Sequence, residues 1–211
     1  MKFNRNIIGW MLYDFANSAF TTIIVTVVYS VYFINNVVGG PAGYGEMLWG
    51  RAIGISMTLV AISAPIFGAV ADYSRAKKRM LFINCYITVI FTALLYFVKP
   101  GDVFIGMLFF IIANFGFNSA NVFYDAFLPE ICQPEDIGKV SGFGWSLGYV
   151  GGLVSLLVAL VLVKINVRLV FPAVALHLFL FSLFTFFWLK EFRRPSQRSN
   201  YYRIAWQRVT Y

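Results

Sequence analysis

Long apolar runs interrupted by brief polar stretches dominate the chain, at about 7–37, 49–71, 80–98, 103–124, 140–163 and 169–189. Each reaches the roughly 20 residues that a helix needs to cross the ~30 Å hydrocarbon core. The pattern therefore predicts six transmembrane helices joined by short connections, an all-α integral membrane fold. The first run continues to about Val38 without a small-residue cleavage site, longer than the ~7 to 15 residues of a signal-peptide core, so it is expected to remain as a helix. Pro65 removes a backbone donor inside the second run and is the expected flexing point. Pro172 stands near the start of the sixth, where proline is tolerated.

Composition agrees with the pattern. Hydrophobic residues make up 60% of the 211 positions, aromatics 19% and charged residues only 12%, outside the soluble globular range. The net charge of +8 could suggest nucleic acid, but the basic residues are distributed by loop and are not gathered on a soluble face, so no nucleic-acid partner is expected. With both termini cytoplasmic, Lys2, Arg5, Arg75, Lys77, Lys78, Arg79, Lys139, Lys190 and the arginines of the tail lie inside. Only Arg51, Lys99, Lys164 and Arg168 lie outside, and the positive-inside bias selects this orientation.

Polar positions inside the apolar runs carry the chemistry. In WMLYDFANSAF, Asp14 sits about two turns into the first run, where a carboxylate costs less than the roughly 2.5 to 3.5 kcal/mol of mid-bilayer. Asp14, Asn17, Ser18 and Thr21 project onto one arc at 100° per residue, with Tyr32 returning to it. In the fourth run Asn114, Asn118, Asn121 and Asp125 stand at i, i+4, i+7 and i+11, again on one face. Amides in hydrocarbon need partners for two donors and an acceptor, so both stripes are expected to look into one water-accessible pathway. Interhelical glue in a static bundle, with Asp14 a hydrated interfacial residue, is the plainer alternative. In the fifth run Ser141, Gly144, Gly148, Gly151, Gly152 and Ser155 form a small-residue face suited to close helix packing.

Cys85 in the third run and Cys132 in a cytoplasmic loop need not pair, and His177 with these distant thiols offers no metal-ligand cluster. Neither a metal nor another cofactor is called for. A membrane-embedded enzyme using Asp14 and Asp125 as an acid/base or metal pair is the weaker reading, because no nucleophile–base constellation or glycine-rich phosphate loop accompanies them.

Between the second and third runs, Gly68-Ala-Val-Ala-Asp72-Tyr-Ser-Arg75-Ala-Lys77-Lys78-Arg79 is a tight basic connection, and its cations could touch anionic lipid head groups. It resembles the signature at this position in the major facilitator superfamily, with Arg75 where the loop glycine usually stands. The resemblance implies that Asp72 and the basic cluster meet the opposite half of a transporter and help hold one state of alternating access. YDFANSAF, NVFYDAFLPEI (Asn121 to Ile131) and GKVSGFGWSLGYVGG (Gly138 to Gly152) resemble the vacuole-effluxer-like branch, whose eukaryotic members are linked to amino-acid export from vacuoles during autophagy. This resemblance covers residues 1 to about 190.

Members of that superfamily have two pseudosymmetric six-helix halves, with the substrate site between them. The chain therefore resembles the N-terminal half alone, and Lys190 to Tyr211 resembles the start of the central cytoplasmic linker, its Tyr201, Tyr202, Ala205, Trp206 and Val209 able to share one face of an interfacial helix. Asp14, Tyr13 and Asn17, with Asn114, Asn118 and Asn121, are then expected to form one wall of the path of a small-molecule substrate. A second half, as a separate polypeptide or missing C-terminal part, would supply the other; a homodimer and an inactive remnant or scaffold are the alternatives. A bacterial inner membrane is the expected location, a vacuolar membrane the alternative.

Overall fold

The computed structural model describes residues 4–73 and 76–191. Arg75 and the tail beyond 191 lie outside the described residues. The described residues form helices throughout, and six are long and apolar enough to cross a membrane. In chain order they comprise α1 (Arg5–Ala19), which continues through a short α2 (Tyr29–Tyr32); α3 (Tyr44–Tyr73); α4 (Lys77–Leu94); α5 (Val103–Asp125), succeeded by the single turn α6 (Leu128–Ile131); α7 (Ile137–Ile165); and α8 (Val170–Trp188).

The first span is not one uniform helix. Phe20–Val27 and Phe33–Val38 are wound with i→i+5 hydrogen bonds, each spanning one residue more than in the α-helix. The constant 100° projection therefore fails beyond Ala19. Tyr32 does not return to the polar arc: its hydroxyl donates to the Val98 carbonyl at 3.0 Å, and Tyr29 donates to the Gly106 carbonyl at 2.9 Å. Thr26 back-bonds to the Thr21 carbonyl at 2.9 Å, satisfying polar groups that the wider turn leaves. The turn after this span carries positive φ at Gly39, Gly40 and Gly43, a region costly for any residue with a Cβ.

α1 packs on α7 in parallel and on α8 antiparallel, α5 on α3 in parallel and on α4 antiparallel, and α4 on α8 antiparallel. Two apolar clusters fill the interior. One surrounds Phe20, Tyr29, Phe33, Phe110 and Phe171; the other, toward the end where α1 begins and α8 finishes, surrounds Trp10, Tyr13, Leu81, Phe123 and Phe127. That second end is tied by the Lys190 amide donating to Asn6 Oδ1 at 2.9 Å. We refer to it as the near end. α3 contributes least to the interior, with 11% of its apolar window buried against 44% in the fourth span. Pro65 lies inside α3 without ending it.

The glycine face of α7 lies directly on α1. A Cβ at Gly144 would come 2.7 Å from the Trp10 ring and 2.8 Å from Asp14 Oδ2, one at Gly148 2.7 Å from Ser18 Oγ, and one at Gly152 2.9 Å from Thr22 Oγ1. At Gly151 it would fall on the Phe15 carbonyl. At this seam the α7 backbone thus lies against the side chains of the first span at Gly144, Gly148 and Gly152 and against its backbone at Gly151, a closeness that glycine allows.

Candidate functional site

A cavity of about 530 Å³ opens along this seam, walled by α1, α5 and α7. From α1 it receives Asp14, Asn17 and Ser18, and from the π-wound segment that follows, Thr21 and Thr22; from α5, Asn121, Tyr124 and Asp125. Asp14 stands about 14 Å along α1 from Arg5 at 1.5 Å per residue, well inside the span. The remaining wall is α7: Trp145 and Tyr149 at its rim, 65% and 74% exposed, with Gly148, Gly152, Leu153 and Leu156.

The two polar stripes meet here. Asn17 Nδ2 donates to Asn121 Oδ1 at 2.9 Å, joining α1 to α5 across the cavity floor. Behind it an aromatic brace fixes both helices. The Trp10 indole N–H donates to the Tyr124 carbonyl at 3.0 Å, the Trp10 and Tyr124 rings stack with centroids 4.4 Å apart, and Tyr13 packs on Tyr124 at 4.9 Å. Three polar atoms at the cavity are buried without a well-formed hydrogen bond: Asp14 Oδ2, Asn17 Oδ1 and the Tyr124 hydroxyl, which neighbours the Asp14 carboxylate. Leaving such groups unpaired costs about 1–3 kcal/mol each, more for a charge, so the arrangement is stabilised when something with donors enters.

Not every residue expected on this wall reaches it. Tyr13 is buried behind the cavity among Tyr124 and the near-end core. Asn114 is buried and donates to Ser56 Oγ of α3 at 2.7 Å, and Asn118 donates to the Asn114 carbonyl and Oδ1 at 2.8 and 3.2 Å. The amide row is straight on α5, but packed helices cross at an angle. Asn114 therefore faces α3, while Asn121 and Asp125 reach the cavity. Among the described lining residues, sequence reasoning missed Thr22, Tyr124, Trp145 and Tyr149. Tyr124 adjoins Asp125, and Trp145 and Tyr149 are spaced i, i+4 beside the glycine face, a signal that was present.

At the near end, Lys77 is not a lipid-facing or outward-reaching cation. Its side chain is 4% exposed, and Nζ donates to Glu130 Oε1 at 2.8 Å and to the Ala126 carbonyl at 2.9 Å, 5.2 Å from the Phe127 ring centroid. Its backbone N–H donates to Glu191 Oε1 at 2.9 Å. A buried ammonium requires an opposing charge, and the turn after α5 supplies it. Lys78 is half-buried and Arg79 exposed, while Gly68 has open space where a Cβ would stand and Asp72 occupies the last turn of α3. His177 of α8 packs its ring on Phe15 at 5.2 Å, with Nε2 3.2 Å from the Phe15 carbonyl. Cys85 is buried and Cys132 half-buried, and both are free thiols.

The family model described as vacuole effluxer Atg22 like matches residues 51–211, which leaves the first span outside the match and includes the basic tail. An uncharacterized MFS-type transporter of Bacillus subtilis, YxiO, is 31% identical over 164 residues, covering 77% of this chain and 38% of the relative. The inward-open xylose transporter XylE of E. coli superposes with a TM-score of 0.57 at 16% identity, over 87% of this chain and 46% of that one. The chain thus spans less than half the length of either protein.

Proposed function

The chain belongs to the vacuole effluxer Atg22-like family of the major facilitator superfamily, an integral membrane protein of the transporter type, and we propose that it is the N-terminal six-helix half of a secondary transporter moving a small solute, such as an amino acid, by alternating access. One observation carries this reading. Within six helices apolar enough for a bilayer, the first span, α5 and α7 surround a cavity where a buried carboxylate has the Tyr124 hydroxyl beside it without a well-formed hydrogen bond and the Asn17 amide oxygen lacks a partner. Polar atoms kept inside a membrane bundle without mutual satisfaction suit a wet path better than static glue.

In this reading Asp14, Asn17, Ser18, Asn121 and Asp125 form one wall of the path. Tyr13, Asn114 and Asn118 hold the helices that carry it. The opposite wall comes from a second six-helix half, on another chain or in the remainder of a longer protein. Broad apolar exposure of α3 and α7, including Ile62, Tyr149, Leu157 and Val161, supports a partner on those faces. The connection from Gly68 to Arg79, with Asp72 at its centre, is the gating element of this reading. A bacterial plasma membrane is the proposed location, in keeping with the Bacillus relative.

Flux through the protein assembled with its second half in proteoliposomes tests the proposal. Asp14→Asn is expected to abolish or uncouple transport. Proton-coupled flux unchanged by that substitution refutes the assignment, and a complex that never contains a second half refutes the architecture.

A further inference from the structure

The cavity's chemistry is one-sided. Its charged lining groups are the carboxylates of Asp14 and Asp125, and none of the described lining residues is Lys, Arg or His. The unsatisfied atoms have the same bias. Asn17 spends its N–H on Asn121, leaving Oδ1 buried and unpartnered, and Asp14 Oδ2 is a buried acceptor with the Tyr124 hydroxyl beside it but no well-formed hydrogen bond. Asn17 is 93% buried, as its 7% exposure implies, and the 4% exposed Tyr124 adds a hydroxyl oxygen also without a well-formed hydrogen bond. At the rim stand the exposed faces of Trp145 and Tyr149.

Resting on the transport reading above, we propose that this half holds a protonated amine of the transported solute, seated between Asp14 and Asn17 and covered by Trp145 and Tyr149. An ammonium offers three donors and no acceptor, which complements Asp14 Oδ2, Asn17 Oδ1 and the Tyr124 oxygen. Its charge offsets the carboxylate in a medium of low dielectric, and the aromatic rim attracts a cation through the ring quadrupole. A carboxylate in the same seat would face an acid and two unsatisfied oxygens. Solutes therefore require a cationic nitrogen, and deaminated counterparts are excluded.

The test uses the full chain in lipid nanodiscs, reading the thermal unfolding midpoint against concentration for leucinamide, L-leucine, isopentylamine, 4-methylpentanoate and sodium chloride. The three amines should raise the midpoint saturably and 4-methylpentanoate should not. Asp14→Asn and, separately, Asn17→Leu should weaken the amine effect, the former by at least about thirtyfold, as when one partner of a desolvated charge pair is removed. Asp14→Glu should retain most of it. Equal stabilisation by 4-methylpentanoate, an amine effect unchanged in both variants, or no amine effect at all overturns the proposal, as does an effect reproduced by sodium alone. Amine binding without flux in the assembled protein would sink the transport reading and leave this seat standing. Flux indifferent to the amine would do the reverse.

Discussion

Removing the carboxylate of Glu130 should destabilise the bundle far more than removing both members of its ion pair. Lys77 and Glu130 are 4% and 8% exposed and 2.8 Å apart. At an effective dielectric of about 20 their attraction is roughly 6 kcal/mol, most of it offset by the desolvation of two ions. Glu130→Leu leaves an ammonium with only the Ala126 carbonyl and the Phe127 ring, which is expected to cost about 3–5 kcal/mol. Lys77→Met removes the ammonium from beside the buried carboxylate and is expected to cost a similar amount. In the double variant no buried charge remains at this pair, so the cost should fall well below the sum, giving a coupling of about 3 kcal/mol or more. Equilibrium unfolding of the purified chain in mixed micelles reads all four corners of the cycle. Single variants each costing under about 1 kcal/mol, or a double variant equal to the sum, would refute the view that this pair staples the α3–α4 connection to the turn after α5.

Gly151→Ala should prevent recovery of a folded chain, costing more than about 3 kcal/mol because the obstacle is the Phe15 backbone, whereas Gly142→Ala, with nothing within 4 Å, should be neutral or stabilise by up to about 1 kcal/mol; size-exclusion profiles and melting curves compare them. Asn114→Leu removes the link to Ser56 and should cost about 0.6–2 kcal/mol in the same unfolding assay, with little effect on amine binding. Gly68→Leu meets open space within this chain and should leave its melting unchanged, while weakening co-purification with a second half if that half covers the position. Asp72→Asn should shift the balance of inward- and outward-facing states, read by the labelling of single cysteines placed in the cavity; an unchanged balance removes the gating role.

The six helices could be read from hydropathy because a bilayer allows little else: each apolar run of sufficient length satisfies its own backbone as a helix. The glycine face of α7 was equally plain, since small residues at helical spacing on an apolar helix have one dominant use. Much of the polar wall was legible. Asp14, Asn17, Ser18, Asn121 and Asp125 reach the cavity, whereas Asn114 turns to Ser56 of α3 and Asn118 bonds back to Asn114, because a helical wheel records angle and contains no crossing partners. Tyr32 went astray for a different reason. The widened turns beyond Ala19 have no propensity signature, and each changes the angular register of the residues after it. Lys77 looked like every other inside cation until its counter-charge, 53 positions away in sequence, was brought beside it by the fold.

The meeting of α7 with α1 also constrains how the molecule can move. Where Gly151 rests on the Phe15 main chain, there is no side-chain rotamer to absorb slip, and parting the two rods would open a void there. The two are expected to move together. In the proposed transport cycle this pair is expected to tilt as a single plate, with compliance left to the loosely covered α3 and to the π-wound part of the first span.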